Sequence, residues 1–157
     1  MIRPLNQQDA CQLMRVYKYC FSSNAWTSEV FRDYFIKPEW NGVFGYGYFS
    51  LISPLNHDYS LSDELLIGFI MGRTICESND LLTIAVHPDY QSMGIGAALC
   101  KTYIDALTVD CLLEVSIQNK KAIRLYTSFG FDVITIRKGY YVTELDSPDA
   151  YVMKRSV

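Results

Sequence analysis

The sequence predicts a mixed α/β (α+β) domain. A central mixed β-sheet of about seven strands is flanked by about four helices, in the order β-α-α-β-β-β-α-β-α-β-β. Three observations predict it. Apolar residues recur at helical spacing in four separate windows. Apolar runs bounded by glycine, proline or polar residues lie between those windows. Residues 80–136 then alternate strand, helix, strand, helix, strand. A chain of 157 residues with no linker, repeat or low-complexity segment reads as a single domain over 1–157.

The elements follow in chain order. "IRPL" is a short opening strand. Between residues 6 and 21, Ala10, Leu13, Met14, Tyr17, Cys20 and Phe21 fall on one helix face, and "SSNAW" breaks that helix. Thr27 is placed to cap a second helix with Val30, Phe31, Tyr34 and Phe35 inward, and Pro38 ends it. "GVFGYGYFSLIS" and "ELLIGFIMGRT" read as paired strands across the polar loop 54–63. "DLLTIAV" is a further strand, stopped by Pro88, and helical spacing resumes from Gly94 to about Leu107. "CLLEVSI" is a strand, Asn119 caps the helix "KKAIRLYTSF", and Gly130 sits where a helix-ending glycine belongs. "FDVITIR" and "AYVMKR" close the sheet.

Composition narrows the function classes. Half of the residues are hydrophobic and only 20% are charged, which excludes a disordered chain. A net charge of −3 without clustered Lys and Arg does not favour nucleic-acid binding and is compatible with a cationic substrate. The five cysteines are odd in number, contain no C-x-x-C, and read as free core thiols in a reducing compartment. The two histidines lack ligand spacing to a cysteine, so no metal site and no catalytic triad is expected. The opening residues lack a basic stretch followed by an apolar one, and "GVFGYGYFSLIS" is too short and glycine-rich to span a bilayer. The expectation is a cytoplasmic protein with no membrane and no nucleic-acid partner.

The informative stretch is "HPDYQSMGIGAALC", residues 87–100. A strand, a short loop with Gly94 and Gly96, and then a helix start can cradle a phosphate. Glycine lets backbone approach a ligand, first-turn amides have no helical partner, and the helix dipole favours an anion. A dinucleotide site is disfavoured, because "GIGAAL" lacks the third glycine and the turn comes late in the chain. A P-loop is excluded, because no G-K-[ST] follows. A purely structural turn remains open, although two glycines after a Gln suit it less well.

"QSMGIGA" matches the Q/R-x-x-G-x-G/A signature of the GNAT acetyltransferase superfamily, and the flanking strand and helix are the right context. The resemblance implies a GNAT fold with acetyl-coenzyme A as co-substrate and no metal. It implies pyrophosphate binding by Gln91, Ser92, Met93, Gly94, Ile95, Gly96 and Ala97. It also implies pairing of the pantetheine arm with the strand edge Ile84, Ala85 and Val86. "LLEVSIQNKKAIRLYTSFGFDVITIRKGYY", ending in "DAYVMKR", further resembles the bacterial ribosomal-protein-alanine N-acetyltransferases of the RimI type. "AWTSEVF" resembles that family's early P-W-[ST]-x-E-x-F segment, with Ala25 in place of proline. The resemblance implies Glu114 as general base, Tyr126 as proton donor and Asn119 as a cofactor contact. The implied partner is the N-terminal segment of a protein, a ribosomal one in that family.

The residues by themselves are compatible with these roles. Glu114 interrupts an apolar strand, where a buried carboxylate needs a partner. A solvent-facing or edge position would account for it equally well. Tyr126 is one of twelve tyrosines, and composition does not single it out. Attack by an amine on a thioester expels a thiolate that wants a proton, and no cysteine of the chain need take part. Trp26, Tyr140 and Tyr141 are candidates for an acceptor site, with Glu144, Asp146 and Asp149 in a stretch that also reads as a solvated turn. The alternatives are the same chemistry on a lysine, a polyamine or another small amine, and a non-catalytic acetyl-coenzyme A sensor.

Overall fold

Residues 1–21, 26–36, 42–51, 64–141 and 148–157 are described by the computed structural model. The apolar run "LLIGFIM" explains the centre of the molecule. It lies in β3 (Glu64–Ile75), whose middle residues are buried on both faces. Such a strand has no polar face to offer water, so it must sit between two layers. β3 pairs antiparallel with β2 (Val43–Leu51) on one side and β4 (Ser78–Val86) on the other. β1 (Ile2–Pro4) extends β2, while β5 (Asp110–Ser116), β7 (Ala150–Arg155) and β6 (Asp132–Arg137) extend β4. The order is β1-β2-β3-β4-β5-β7-β6. Among the described residues this is the mixed sheet and element order that the sequence predicts, with four α-helices.

Each face of the sheet carries its own core. α1 (Ala10–Cys20) and α2 (Ser28–Ile36) cover one face, where Leu13, Val16, Phe31, Phe35, Phe69 and Met71 pack together. α3 (Ile95–Asp105) and α4 (Lys120–Ser128) cover the other, where Leu99, Tyr103, Leu113, Val115, Tyr126 and Phe131 pack. At Gly72, opposite the β4 bulge at Leu82, an added Cβ would lie 1.6 Å from the Tyr103 hydroxyl, so only glycine fits. That hydroxyl donates to Asn79 Oδ1 at 2.7 Å, which also accepts from Cys111 Sγ, while Asn79 Nδ2 donates to Thr74 Oγ1 at 2.9 Å. A fully buried amide is thereby satisfied, as its burial requires.

Several details differ from the sequence reading. The first helix begins at Ala10, after a 3-10 turn over Gln7–Asp9 that Asn6 caps together with the Asp9 carboxylate. Val16 joins its buried face, and Phe21 lies beyond its end, exposed. The helix after the glycine turn ends at Asp105. The cysteines are not all core thiols. Cys100 and Cys111 are buried, Cys20 is half-buried, and Cys11 and Cys76 are exposed. Cys11 falls on the outward face of α1, and Cys76 occupies the β3–β4 turn with φ +55. β6 is an edge strand exposed on both faces. The break at 22–25, Pro38 and the loop 54–63 lie outside the described residues. Among the described residues no helix is long and apolar enough to cross a membrane.

Burial pushes the Cys100 and Cys111 thiols up to about 12, so both stay protonated near neutral pH. A thiol-reactive dye at pH 8 is expected to modify Cys11 and Cys76 rapidly in the folded protein. Cys100 and Cys111 should react only after denaturant is added, and mass mapping of the labelled peptides checks this.

Candidate functional site

β4 and β5 run parallel, which two strands joined through a helix can do. They are in register for only three pairs, Ser78↔Asp110 to Asp80↔Leu112. Beyond these pairs each strand continues along its other neighbour, β4 to Val86 against Gly68 and β5 to Ser116 against Ala150. The two strands therefore part and leave a wedge. The His87 N–H donates to Ile67 O on the β3 side at 2.8 Å. By strand alternation the N–H and C=O groups of Val86 and Ile84 point the other way, into the wedge. The Val86 carbonyl accepts from Gln91 Nε2 at 3.0 Å and from Cys20 Sγ at 3.2 Å, both outside β3.

The wedge opens at the start of α3. A 3-10 turn over Pro88–Tyr90 leads to Gln91, then to Ser92 with φ +64 and Gly94 with φ +78. Gly94 is the N-cap of α3 and carries no side chain to satisfy the first-turn amides, which face the cleft with the positive end of the helix dipole. The two glycines are there for different reasons. Gly94 is required by its backbone conformation, and a Cβ there would meet nothing within 4 Å. Gly96 has an ordinary φ, and a Cβ there would meet only Leu125 and Val86 at 3.8 and 3.9 Å. The fold does not demand glycine at 96, and its absent side chain leaves open space in the cleft.

That cleft has a volume of about 560 Å³. It is lined by Ile84, Ala85 and Val86 of β4, by Gln91, Ser92, Gly94, Ile95, Gly96 and Ala97 of the turn, and by Asn119 at the head of α4. The structure thus gathers the two separate segments that the sequence reading joined. Asn119 Oδ1 accepts from the Ala122 N–H at 3.0 Å and caps α4. The Met93 side chain is exposed and does not line the cleft.

Glu114 and Tyr126 stand apart from this lining, on opposite faces of β5. Leu113 and Val115 pack in the core of α3 and α4 together with Tyr126. Glu114, between them in sequence, points to the other face. There its Oε1 accepts from Arg137 Nη1 at 2.7 Å, and its side chain is 30% exposed. The carboxylate is neither orphaned in a core nor freely solvated, because an ion pair from β6 holds it. The Arg137 guanidinium also lies 5.1 Å from the Tyr140 ring centroid. Burial, and then the Glu114 carboxylate, push the Tyr140 phenol up, while for Tyr141 burial and then Tyr140 do so. Tyr126 is buried against Phe131, and that burial pushes its phenol well above the usual tyrosine range.

The acceptor candidates divide. Tyr140 and Tyr141 stand near Glu114. Trp26 stacks on Tyr17 at 5.6 Å and packs on Phe31 and Tyr34, within the α1–α2 core. Asp149 Oδ1 accepts from the Gly139 N–H at 2.9 Å and closes the β6–β7 hairpin. Glu144 and Asp146 lie outside the described residues. Sequence reasoning missed Cys20, Tyr90, Lys121 and Arg124, which also line the cleft, and Arg137, which holds Glu114. Only the lysine pair after the Asn119 cap carried a signal, since cations at a helix start oppose its dipole.

Comparison with known proteins agrees with this geometry. The chain belongs to the acetyltransferase (GNAT) family, whose profile matches residues 12–131. It is similar to the [ribosomal protein bS18]-alanine N-acetyltransferase of Salmonella typhimurium, 38% identical over 96 residues. That match covers 59% of this chain and 65% of the relative, less than two thirds of the relative's length. The crystal structure of the ribosomal-protein-S18-alanine N-acetyltransferase from Escherichia coli is similar, with a TM-score of 0.78 and 26% identity, covering 100% of this chain and 93% of that one. Arabidopsis thaliana NAA60 in complex with acetyl-CoA shares the fold, with a TM-score of 0.77 and 21% identity, covering 100% of this chain and 98% of that one.

The two glycines predict opposite stability effects. Gly94→Ala is expected to cost about 1–2 kcal/mol, because alanine must adopt the left-handed conformation. Gly96→Ala should be neutral or stabilising by up to about 1 kcal/mol, because glycine weakens a helix relative to alanine. Paired urea unfolding curves check both.

Proposed function

We propose that the protein is an N-acetyltransferase that moves acetyl from acetyl-coenzyme A to the N-terminal α-amine of a protein, in the first instance the N-terminal alanine of a small-subunit ribosomal protein. The observation that carries the reading is the wedge between β4 and β5 beside an uncapped helix N-terminus. A free strand edge suits a peptide-like pantetheine arm, and first-turn amides suit a diphosphate. The open space at Gly96 fits such a group, since the fold itself leaves that position unfilled.

Acetyl-coenzyme A supplies an acetyl group activated as a thioester. The chain's residues do the rest. The Val86 N–H faces the wedge and is offered to the thioester oxygen, where negative charge develops. Glu114 takes the proton from the attacking amine, directly or through water. An α-amine of pKa about 7.7–8.0 asks less of a carboxylate than a lysine amine near 10.4. As the new C–N bond forms and the C–S bond breaks, Tyr126 donates to the departing sulfur. The position of β5 between the two groups suits this division, with the amine on one face and the thiol on the other. Full proton transfer from Tyr126 is uphill, because a phenol raised by burial is a weaker acid than a thiol near 8.5. Its share of the rate is therefore expected to be smaller than that of Glu114.

Release of free thiol from acetyl-coenzyme A tests the reading. The acceptors are a basic peptide beginning with alanine, its N-formylated form with an internal lysine, and spermidine. Turnover is expected with the first alone. Turnover with the second or third would keep the cofactor and overturn the acceptor. Glu114→Gln is expected to lower kcat by on the order of 10²-fold or more, and Tyr126→Phe by roughly tenfold. Cofactor binding without turnover, indifferent to both substitutions, would mark a sensor instead.

A further inference from the structure

Lys121 and Arg124 have no place in the chemistry above, yet both line the cleft. The Lys121 ammonium lies 3.4 Å from Gln91 Oε1 and 3.4 Å from Ser92 Oγ, over the start of the glycine turn. These contacts are long and involve neutral oxygens, so they leave its charge uncompensated. Elsewhere Arg3 pairs with Asp9 and Glu64, Arg73 with Asp80, Lys101 with Asp105, Arg137 with Glu114 and Lys154 with Asp110. Being unpaired is common among the remaining cations, and it is the position over the glycine turn that sets Lys121 apart. Among the described residues Lys121 and Arg124 join no ion pair, and no carboxylate lines the cleft. This is a cationic wall on a chain whose net charge is −3.

Its position is also costly. Lys120 and Lys121 open α4, which has no acidic residue in its first turn. Cations there oppose the helix dipole, where Asp or Glu would be favoured. A bound polyanion reverses that sign. The uncapped N-terminus of α3, the Asn119-capped start of α4, the left-handed Ser92 and the Lys121 ammonium all converge on one cleft.

We propose that Lys121 binds the diphosphate of coenzyme A from the side opposite the glycine turn, with Arg124 adding a second positive charge on the same wall. The inference rests on the coenzyme A reading above. Lys120 is an internal control, because it carries the same charge in the same helix turn but does not line the cleft.

The test is calorimetric titration of the full chain with coenzyme A and with 3′-dephospho-coenzyme A. The proteins are wild type, Lys120→Gln, Lys121→Gln, Lys121→Arg and Arg124→Gln. Lys121→Gln is expected to weaken both ligands by on the order of five- to tenfold, to a similar extent. Lys121→Arg should restore most of the affinity, Arg124→Gln should cost less, and Lys120→Gln should change little. Equal affinities for wild type and Lys121→Gln would overturn the inference. So would a loss confined to coenzyme A, which would assign the charge to the 3′-phosphate, or a Lys121→Arg as weak as Lys121→Gln. A wild-type protein that binds neither ligand would instead sink the cofactor reading itself.

Discussion

The parting of β4 from β5 after three registered pairs is the constraint on which the rest of the site depends. A parallel pair that stayed in register to Val86 would bury the β4 edge in a ladder. It would leave no backbone donors for a ligand and no passage between the faces of the sheet. Both strands remain ordered because each keeps its other neighbour, β3 for β4 and β7 for β5. The exposed edge is thus short, flanked by paired backbone, and partly occupied by the Gln91 side chain on the Val86 carbonyl. Those features guard a free edge against unwanted pairing.

The helices convert this opening into a site. α3 begins where β4 ends, so its unsatisfied amides lie at the mouth of the wedge, and the left-handed Gly94 makes the turn between them. α4 follows β5 in the same way, and its Asn119 cap uses a side chain to satisfy the amide at Ala122. One helix start is closed by its own side-chain cap and the other is left without one. The buried Tyr103–Asn79–Cys111 cluster lies on the α3 side of the sheet, at the end of β4 and β5 where the two strands are still paired. A satisfied polar cluster there specifies one packing arrangement.

Charge is arranged to match. Acidic groups that could repel an anion are absent from the described lining of the cleft, and Lys121 and Arg124 of α4 line it. On the opposite face of β5 Glu114 is held in an internal pair with Arg137, beside Tyr140. A molecule with a net charge of −3 thus presents two electrostatically distinct surfaces, a cleft lined by Lys121 and Arg124 without a carboxylate and an opposite face where Glu114 is ion-paired.

By itself the sequence determined the elements, their order and the segments that meet at the cleft. Each of these is written locally, in the period of apolar residues, in Asn119 and Gly130 at helix ends, and in two glycines between a strand and a helix. The family resemblance rested on the same local strings. Tertiary structure decided what local patterns do not encode. The pairing of β4 with β5 stops at Asp80, beside the register shift of β4 against β3 at Leu82, and the apolar run at 81–86 does not announce it. Glu114 faces away from Tyr126 because β5 is covered by α3 and α4 on one face, and its partner Arg137 comes from a strand 23 residues later. Val16 is buried and Cys11 exposed because the face of α1 is set by where it lands on the sheet. Lys121 reaches the glycine turn across 29 residues of chain, a proximity that only the folding of α4 beside α3 creates.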